Sequence, residues 1–309
     1  MNAPEQVELF PLRRTSRSRN LPEGAVFAWR APGVNGLEAF VYLPHSRPRP
    51  KRVLVTVHGI TRNALEHALS FAELAEAGEF AVVAPLFERK AVGRYQTLAR
   101  GRRRMAADNA FDAMLDALAG ATGLDLDKLS LFGFSGGGQF AHRYAMTHPA
   151  RVARLVIGAA GWYTMPDPLA AWPYGLADPP AEMPAPALDA FLRIPVRVIV
   201  GDGDDQRDAA LNQAARIDRG QGLTRIDRGR AWVDALRAAA ARAGLPPRAG
   251  FELLPGATHN FADAMHRHGL GPAVVRFLFG GNGAHGPAES ARPGTNEESD
   301  DNHDADDAA

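Results

Sequence analysis

Hydrophobic residues along the chain follow two alternating spacings. Nearly continuous apolar runs are typical of strands covered on both faces, and they recur as RVLVTV, FAVVAPLF, KLSLFGFS, ARLVIGAA, PVRVIVG and GFELLPGA. Between them, apolar residues repeat at helical spacing in ALEHALSFAELAEAG, DNAFDAMLDALAGATG, GGQFAHRYAMTHP and GRAWVDALRAAAARAG. This alternation predicts an α/β fold with a mostly parallel sheet and helices on both faces.

Two further apolar runs, AVFAWRA and LEAFVYL, come before this alternation. The residues between them, Pro32–Gly36, suit a turn. We therefore expect a pair of strands at the edge of the sheet, joined by that turn.

The two ends of the 309-residue chain differ in composition from its middle. We expect an N-terminal arm over 1–24 and one α/β domain over 25–280. The last stretch, 281–309, holds eight acidic residues, one arginine and almost no large apolar residue. Such a segment cannot bury enough surface to offset its ordering entropy, so we expect a disordered acidic tail that solubilises the chain or serves as an interaction tail.

The segment 161–192 interrupts the strand–helix rhythm. It is rich in proline and carries Trp162, Tyr163, Trp172 and Tyr174. Long irregular segments in compact domains are functional or disordered, and the aromatic residues argue against disorder. We expect a cap insertion over the carboxyl ends of the strands, in which Trp162, Trp172 and Tyr174 either bind an apolar part of a substrate or simply pack the cap.

Composition excludes several classes of function. Lys+Arg and Asp+Glu both number 35, and this balance gives no electrostatic footprint for nucleic acid or an anionic membrane. The absence of cysteine excludes disulfides, thiolate nucleophiles and Cys-ligated metals. No apolar run is long enough to span a bilayer, and the first twenty residues lack the apolar stretch of a signal peptide, so we expect a cytoplasmic protein. We expect its substrate to be a small molecule.

The motif Gly133-Phe134-Ser135-Gly136-Gly137 follows an apolar strand and precedes a predicted amphipathic helix that begins at Gly138. A strand, a sharp turn and a helix are the context that a nucleophilic serine requires in the G-x-S-x-G pattern. The amides at the start of the helix also favour developing negative charge. The alternative is a glycine-rich turn that only packs strand against helix.

The run His58-Gly59-Ile60-Thr61-Arg62 ends the strand RVLVTV. A loop at this position can donate a backbone N–H to an oxyanion, so we expect the amides of Ile60 and Gly136 to form an oxyanion hole. We interpret His58 as a structural residue that binds the loop backbone. Arg62 is a candidate contact for an anionic substrate group, and the arginines at 94, 100 and 102–104 are either a second such contact or a solvated helix entry.

A base and an acid complete the candidate chemistry. His259 lies in a turn after the final strand, at the edge where active sites of open α/β sheets gather. An acid that orients an imidazole is available after the strand PVRVIVG, where the candidates are Asp202, Asp204, Asp205 and Asp208. Asp167 in the cap is the next candidate.

Metal-site alternatives are weaker. The pair His266-x-His268 lacks an obvious third ligand, and D-G-D-D at 202–205 lacks the spacing of a calcium loop. We expect neither a metal ion nor an organic cofactor.

The order Ser135…Asp204…His259, with His-Gly upstream and G-x-S-x-G on an elbow, resembles the α/β-hydrolase superfamily along residues 25–280. The resemblance implies the α/β-hydrolase fold, and it favours Asp204 as the acid because Gly201-Asp-Gly-Asp204 matches the family's G-x-x-D pattern. The HGIT and GFSGG segments are similar to the polyhydroxybutyrate-depolymerase and feruloyl-esterase branch, whose corresponding segment often has the sequence HGCT.

The residues and the resemblance imply one reaction class. We expect a serine hydrolase that cleaves a carboxylic ester through an acyl-enzyme on Ser135, His259 and Asp204. A peptidase or amidase, a thioesterase and a lactonase would use the same triad. A non-catalytic binding protein of this fold is a further alternative.

Overall fold

Nine strands form one sheet in the computed structural model, within the residues that it describes, 14–15, 21–30, 37–46, 49–98 and 106–280. In chain order the strands are β1 (Arg14–Thr15), β2 (Val26–Arg30), β3 (Leu37–Tyr42), β4 (Arg52–Val57), β5 (Phe80–Phe87), β6 (Leu129–Phe134), β7 (Val152–Gly158), β8 (Val196–Gly201) and β9 (Ala249–Leu254). Their order across the sheet is β1-β2-β3-β5-β4-β6-β7-β8-β9.

The six strands from β4 to β9 run parallel to one another, and β3 runs antiparallel to both β2 and β5. The predicted strand pair is therefore present, but β3 is not an edge strand, because β5 pairs along its other side. The predicted turn at Pro32–Gly36 lies outside the described residues. Parallel strands place their carboxyl ends at one edge of the sheet, which is where His58, Ser135, Asp204 and His259 follow their strands.

Helices cover both faces of the sheet. They are α1 (Ala64–Gly78), α2 (Ala107–Thr122), α3 (Gly136–Thr147), α4 (Leu188–Phe191), α5 (Ala215–Gln221), α6 (Arg225–Arg242), α7 (Phe261–His266) and α8 (Leu270–Phe279), with short 3-10 helices at Tyr95–Thr97 and Pro149–Arg151. Helices α1, α7 and α8 contact one another, while α3 contacts α2 and α6 through aromatic side chains. The sheet and the helices together bury one large apolar core.

Helix α3 differs from its prediction in two ways. It begins at Gly136 rather than Gly138, and every residue in it is buried, so it has no face exposed to solvent. The reason is a second covering layer: Trp162 of the cap lies over Arg143, and Trp232 of α6 contacts His142. Periodicity along one helix does not indicate that another layer will cover its outer face.

The predicted cap segment, 161–192, is irregular apart from α4 and one isolated bridge. Two helices hold its first residues in place. Trp232 Nε1 of α6 donates to Thr164 O at 2.8 Å, and Arg143 Nε of α3 donates to Thr164 Oγ1 at 2.8 Å. The cap therefore rests on α3 and α6. The domain boundaries stay predictions, and the predicted acidic tail and the arginines at 100 and 102–104 lie outside the described residues.

The joint between β6 and α3 is packed so closely that two of its glycines have no room for a side chain. A Cβ on Gly133 would lie 2.2 Å from the carbonyl oxygen of Gly137, and a Cβ on Gly137 would lie 2.0 Å from the carbonyl oxygen of Val57. Helix α3 thus lies directly against the ends of β4 and β6. This contact fixes where the residue between β6 and α3, Ser135, can stand.

We predict that Gly137→Ala lowers the free energy of unfolding by about 3 kcal/mol, because the new methyl group must displace the backbone at Val57. Gly120 in α2 is the matched control, since a Cβ there meets nothing within 4 Å. Gly120→Ala should raise the free energy of unfolding by up to about 1 kcal/mol. Urea denaturation of the two variants measures both values, and equal stability of the two variants would contradict the packing described.

Candidate active site

Ser135 occupies a strained turn between β6 and α3. Its φ of 53° and ψ of −114° place it in a region that residues with a side chain rarely adopt. The turn is held by the Ser135 amide, which donates to Gly158 O at 2.7 Å, and by the Gln139 amide, which donates to Ser135 O at 3.1 Å. Because neighbouring strands and the helix determine this backbone, the Ser135 side chain projects from the tip of the turn.

Ser135, His259 and Asp204 form a chain of two hydrogen bonds. The hydroxyl of Ser135 lies 3.0 Å from His259 Nε2, and His259 Nδ1 lies 2.6 Å from Asp204 Oδ2. Since a carboxylate oxygen accepts, Nδ1 carries the proton and Nε2 is left to accept from the serine hydroxyl. Asp204 is 2% exposed. The three residues come from the ends of β6, β8 and β9, separated by up to 124 positions in the chain.

The other candidate acids have different partners. Asp202 accepts a hydrogen bond from the Gly256 amide at 2.7 Å and so closes the turn after β9. The side chain of Asp205 accepts from its exposed neighbour Gln206. Asp208 is bound by an arginine of α6, and Asp167 accepts from the Leu169 amide within the cap. Of the candidate acids, Asp204 is the one bonded to His259.

His58 is built into the loop that follows β4. The Phe87 amide donates to its Nε2 at 3.0 Å, so Nδ1 carries the proton and donates to Gly59 O at 2.8 Å. The hydroxyl of Tyr95 donates to His58 O at 2.9 Å. Burial lowers the pKa of His58 to about 4, which keeps the imidazole neutral. His58 thus binds backbone, as the sequence predicts.

These bonds orient the peptide group between Gly59 and Ile60. The Gly59 carbonyl accepts from His58 Nδ1 and from the Arg62 amide at 3.1 Å. In a trans peptide the N–H points opposite to the carbonyl, so the Ile60 amide is directed away from those donors. Gly59 lies against the nucleophile, since a Cβ there would be 3.5 Å from Ser135 Cβ.

Gly136 stands on the other side of Ser135, as the first residue of α3. An amide in the first turn of a helix has no acceptor within that helix. A Cβ on Gly136 would lie 2.9 Å from the Tyr95 hydroxyl, 3.0 Å from Ile60 Cγ2 and 3.2 Å from Gln96 Nε2. Ile60 and Gly136, the two predicted oxyanion residues, therefore lie next to each other beside Ser135.

Arg62 and Trp172, which the sequence offers as substrate-binding residues, are engaged in packing. The guanidinium of Arg62 lies 5.2 Å from the ring of Tyr95 and donates to Gly93 O at 3.2 Å. Trp172 Nε1 donates to Thr97 O at 3.3 Å. Both contacts fasten the segment after β5, so binding of substrate by either side chain stays a prediction.

Trp162 and Tyr174 lie side by side between two arginines. The Arg143 guanidinium lies 4.1 Å from the Trp162 ring, the rings of Trp162 and Tyr174 are 5.2 Å apart, and the guanidinium of Arg216 lies 4.2 Å from Tyr174. Tyr174 and Arg216 also line a cavity of about 400 Å³ between the cap and α5–α6. The cavity is not lined by Ser135, Asp204 or His259, so binding of substrate by Trp162 or Tyr174 stays a prediction.

Two residues near the site are not predicted by the sequence analysis. Arg225 is buried and donates to Asp204 Oδ1 at 3.0 Å, and Gln96 lies beside Gly136. Arg225 is the first residue of the second of two RIDRG repeats, at 216–220 and 225–229. Because the two repeats are identical, the sequence does not indicate which of their arginines contacts Asp204. Gln96 follows an irregular loop that has no periodic pattern.

The structure adds two observations on the remaining alternatives. Within the part of the chain that it describes, no group of three or more His, Asp or Glu side chains is arranged to hold a metal ion. No helix among the same residues combines the length and the hydropathy needed to cross a membrane.

No protein-family model and no curated protein sequence matches the chain. Solved structures do match it. Poly(aspartic acid) hydrolase-1 from Sphingomonas sp. KT-1 is 25% identical with a TM-score of 0.68, over 77% of this chain and 95% of that one. LpqC, a poly(3-hydroxybutyrate) depolymerase from Bordetella parapertussis, is 24% identical with a TM-score of 0.69, over 82% and 88%.

A more distant match is an S-formylglutathione hydrolase from Agrobacterium tumefaciens, at 19% identity and a TM-score of 0.55, over 84% of this chain and 98% of that one. These matches confirm the fold that the sequence resemblance implies. LpqC also belongs to the depolymerase branch to which the HGIT and GFSGG segments point.

Three buried histidines make stability depend on pH. Burial lowers the pKa of His58 to about 4, and it lowers the pKa of His67 and of His142 well below the ordinary value. In the unfolded chain these residues take up protons near pH 6.5. Below that pH the unfolded state binds more protons than the folded state, so stability is lost as the pH falls from about 6.5 towards 4.

We predict that the free energy of unfolding falls by about 3.5 kcal/mol between pH 6 and pH 5. Each histidine contributes about 1.2 kcal/mol, a little less than the limiting value of about 1.4 kcal/mol per pH unit, because the unfolded chain is not yet fully protonated at pH 6. Urea titrations across this range measure it. His67→Phe keeps the ring stacked on Phe261 and removes one titrating group, so its slope should be about a third shallower. A flat profile in the wild-type protein would contradict the neutral buried state of these residues.

Proposed function

We propose that this chain, an α/β-hydrolase by its fold and its structural neighbours, cleaves carboxylic esters through an acyl-enzyme on Ser135. The observation that carries the proposal is the hydrogen-bonded chain from Ser135 Oγ through His259 to Asp204, with the serine on a strained turn. Strain of this kind persists where the surrounding structure enforces it, and it is characteristic of sites that hold a reactive group in place.

The reaction begins when Ser135 Oγ attacks the ester carbonyl and passes its proton to His259 Nε2. The imidazolium that forms keeps its other proton on Nδ1, in the hydrogen bond to Asp204. His259 then gives the proton on Nε2 to the departing alkoxide, which leaves as an alcohol. In the second half, His259 takes a proton from water, the hydroxide attacks the acyl carbon, and Ser135 recovers its proton.

The negative charge on the carbonyl oxygen develops beside the amides of Ile60 and Gly136. The Ile60 N–H is turned away from the side on which His58 and Arg62 bind the Gly59 carbonyl. The Gly136 N–H stands at the positive end of α3. Donors fixed before reaction stabilise the oxyanion without reorganisation, which is why such pairs lower the barrier by several kcal/mol.

An ester is the substrate class that this site suits best. Ile60 is 44% exposed and places an apolar side chain beside Gly136, the residue that follows Ser135. The matched depolymerase is named for poly(3-hydroxybutyrate), a polyester, which supports an ester linkage in the substrate of this chain. The matched hydrolase named for poly(aspartic acid), a polyamide, supports an amidase as the second candidate. A panel of aryl esters of increasing acyl length, with the matching anilides, thioesters and lactones, tests the assignment through kcat/KM. Faster turnover of an anilide than of its ester would overturn it.

We predict that Ser135→Ala folds normally and loses ester hydrolysis by roughly 10⁶-fold in kcat, because no other group can form the acyl-enzyme. Initial rates on a short-chain aryl ester, with circular dichroism as the check on folding, measure this. Retention of wild-type turnover by the folded variant would remove Ser135 from the mechanism.

Asp204→Asn should lower kcat by roughly 10⁴, because an amide nitrogen facing Nδ1 favours the wrong tautomer of His259. Asp202→Asn is the matched control on the same turn, since Asp202 binds the Gly256 amide and makes no bond to the imidazole. It should lower kcat by at most about tenfold. Steady-state kinetics decide between them, and a larger loss for Asp202→Asn would identify Asp202 as the acid.

A further inference from the structure

Arg225 is the first residue of helix α6, and its side chain is directed towards Asp204. Its side chain is 1% exposed, and its Nη1 donates to Asp204 Oδ1 at 3.0 Å. The other oxygen of the same carboxylate accepts from His259 Nδ1 at 2.6 Å. We propose that Arg225 is a positioning residue that acts on catalysis through Asp204. This inference rests on the function proposed above.

The geometry of the Asp204 carboxylate supports this role. One oxygen is bound by a cation within α6 and the other by the imidazole, so the plane of the carboxylate is fixed from two sides. The hydrogen bond to His259 has one productive direction, and a carboxylate free to rotate would hold the imidazole less rigidly. A guanidinium is suited to this because it is planar, always charged and rigid.

Asp208, which is partly exposed, is the second carboxylate bound by Arg225. It receives Arg225 in a fork, with Nη1 at 3.0 Å from Oδ2 and Nη2 at 3.1 Å from Oδ1. The Asp208 carboxylate also accepts from the amides of Ala210 and Leu211, so it is itself held in place. The hydrogen bond from Arg225 lowers the pKa of Asp208, which keeps it charged. Two carboxylates therefore share one buried cation.

The start of α6 is fixed independently of this ion pair. Thr224 Oγ1 accepts from the Asp227 amide at 3.1 Å, and the Thr224 amide donates to Asp227 Oδ2 at 3.0 Å. This capping box determines where the helix begins and therefore where Arg225 stands. The Arg225 Nε is buried and has no hydrogen-bond partner among the described residues, so the two carboxylates alone orient the guanidinium.

Arg228 provides a matched control one turn further along α6. It is also buried, and it donates to a carboxylate, that of Asp218, at 2.7 Å. Its other bonds go to the backbone carbonyls of Gly161 and Gly222, and none goes to the triad. A purely structural role of buried arginines would make the two residues equivalent in kinetic measurements.

The test is steady-state ester hydrolysis by Arg225→Met, Arg225→Lys and Arg228→Met in the full-length protein. We expect Arg225→Met to lower kcat by about 10- to 100-fold, similar to the loss when other orienting partners are removed, with KM changed less than about threefold. Lysine keeps the charge without the fork and should recover part of kcat. Arg228→Met should lower stability and leave kcat within about threefold of the wild type.

A double variant separates action through Asp204 from a general effect. If Arg225 acts through the acid, Asp204→Asn with Arg225→Met should have the kcat of Asp204→Asn alone. A further tenfold loss in the double variant would overturn the proposal, as would wild-type kcat in Arg225→Met. If Arg225→Met does not fold, Arg225→Lys decides, since full kcat there also contradicts the role of the fork. Failure of the triad itself would appear separately, as activity in Ser135→Ala.

Discussion

The backbone passes from β6 into α3 through a single residue, Ser135, whose φ of 53° and ψ of −114° are rarely adopted by residues with a side chain. The strain is maintained because Gly133 and Gly137 let α3 lie against β4 and β6 with no side chain between them. The same close approach brings the amide of Gly136 beside the Ile60 loop. The joint between β6 and α3 therefore determines the direction of α3, the position of Ser135 and the placement of the two proposed oxyanion donors.

A second set of interactions holds the proposed acid, Asp204, in place. Asp204 lies in the interior, where an isolated charge is unfavourable. Arg225 and Asp208 surround it with paired charges, so the imidazole of His259 is connected through Asp204 to the start of α6. The Ser135 turn relies on backbone packing, whereas the acid relies on ionic contacts. The glycines that permit the turn are close to Ser135 in the sequence, whereas the charged partners of Asp204 come from other segments of the chain.

This difference explains what the sequence could predict. Apolar runs predicted β4 to β9, and turn positions at strand ends identified Ser135 and His259, because those signals are local. Four aspartates on one turn could be separated only by family resemblance, since Asp202 and Asp204 are two residues apart. Arg225 could not be predicted, because its contact joins positions 21 residues apart across a loop. The burial of α3 depends on a layer contributed by the cap and α6, which local periodicity does not indicate.

The central claim is that Ser135 becomes covalently acylated, and mass spectrometry of the trapped enzyme tests it most directly. A fluorophosphonate reacts with a serine that an imidazole activates, and it leaves a stable phosphonyl ester. We expect one adduct per chain, located on Ser135 by peptide mapping, and none after His259→Ala. A stoichiometric adduct on another residue, or an unmodified Ser135 in enzyme that hydrolyses esters, would contradict it.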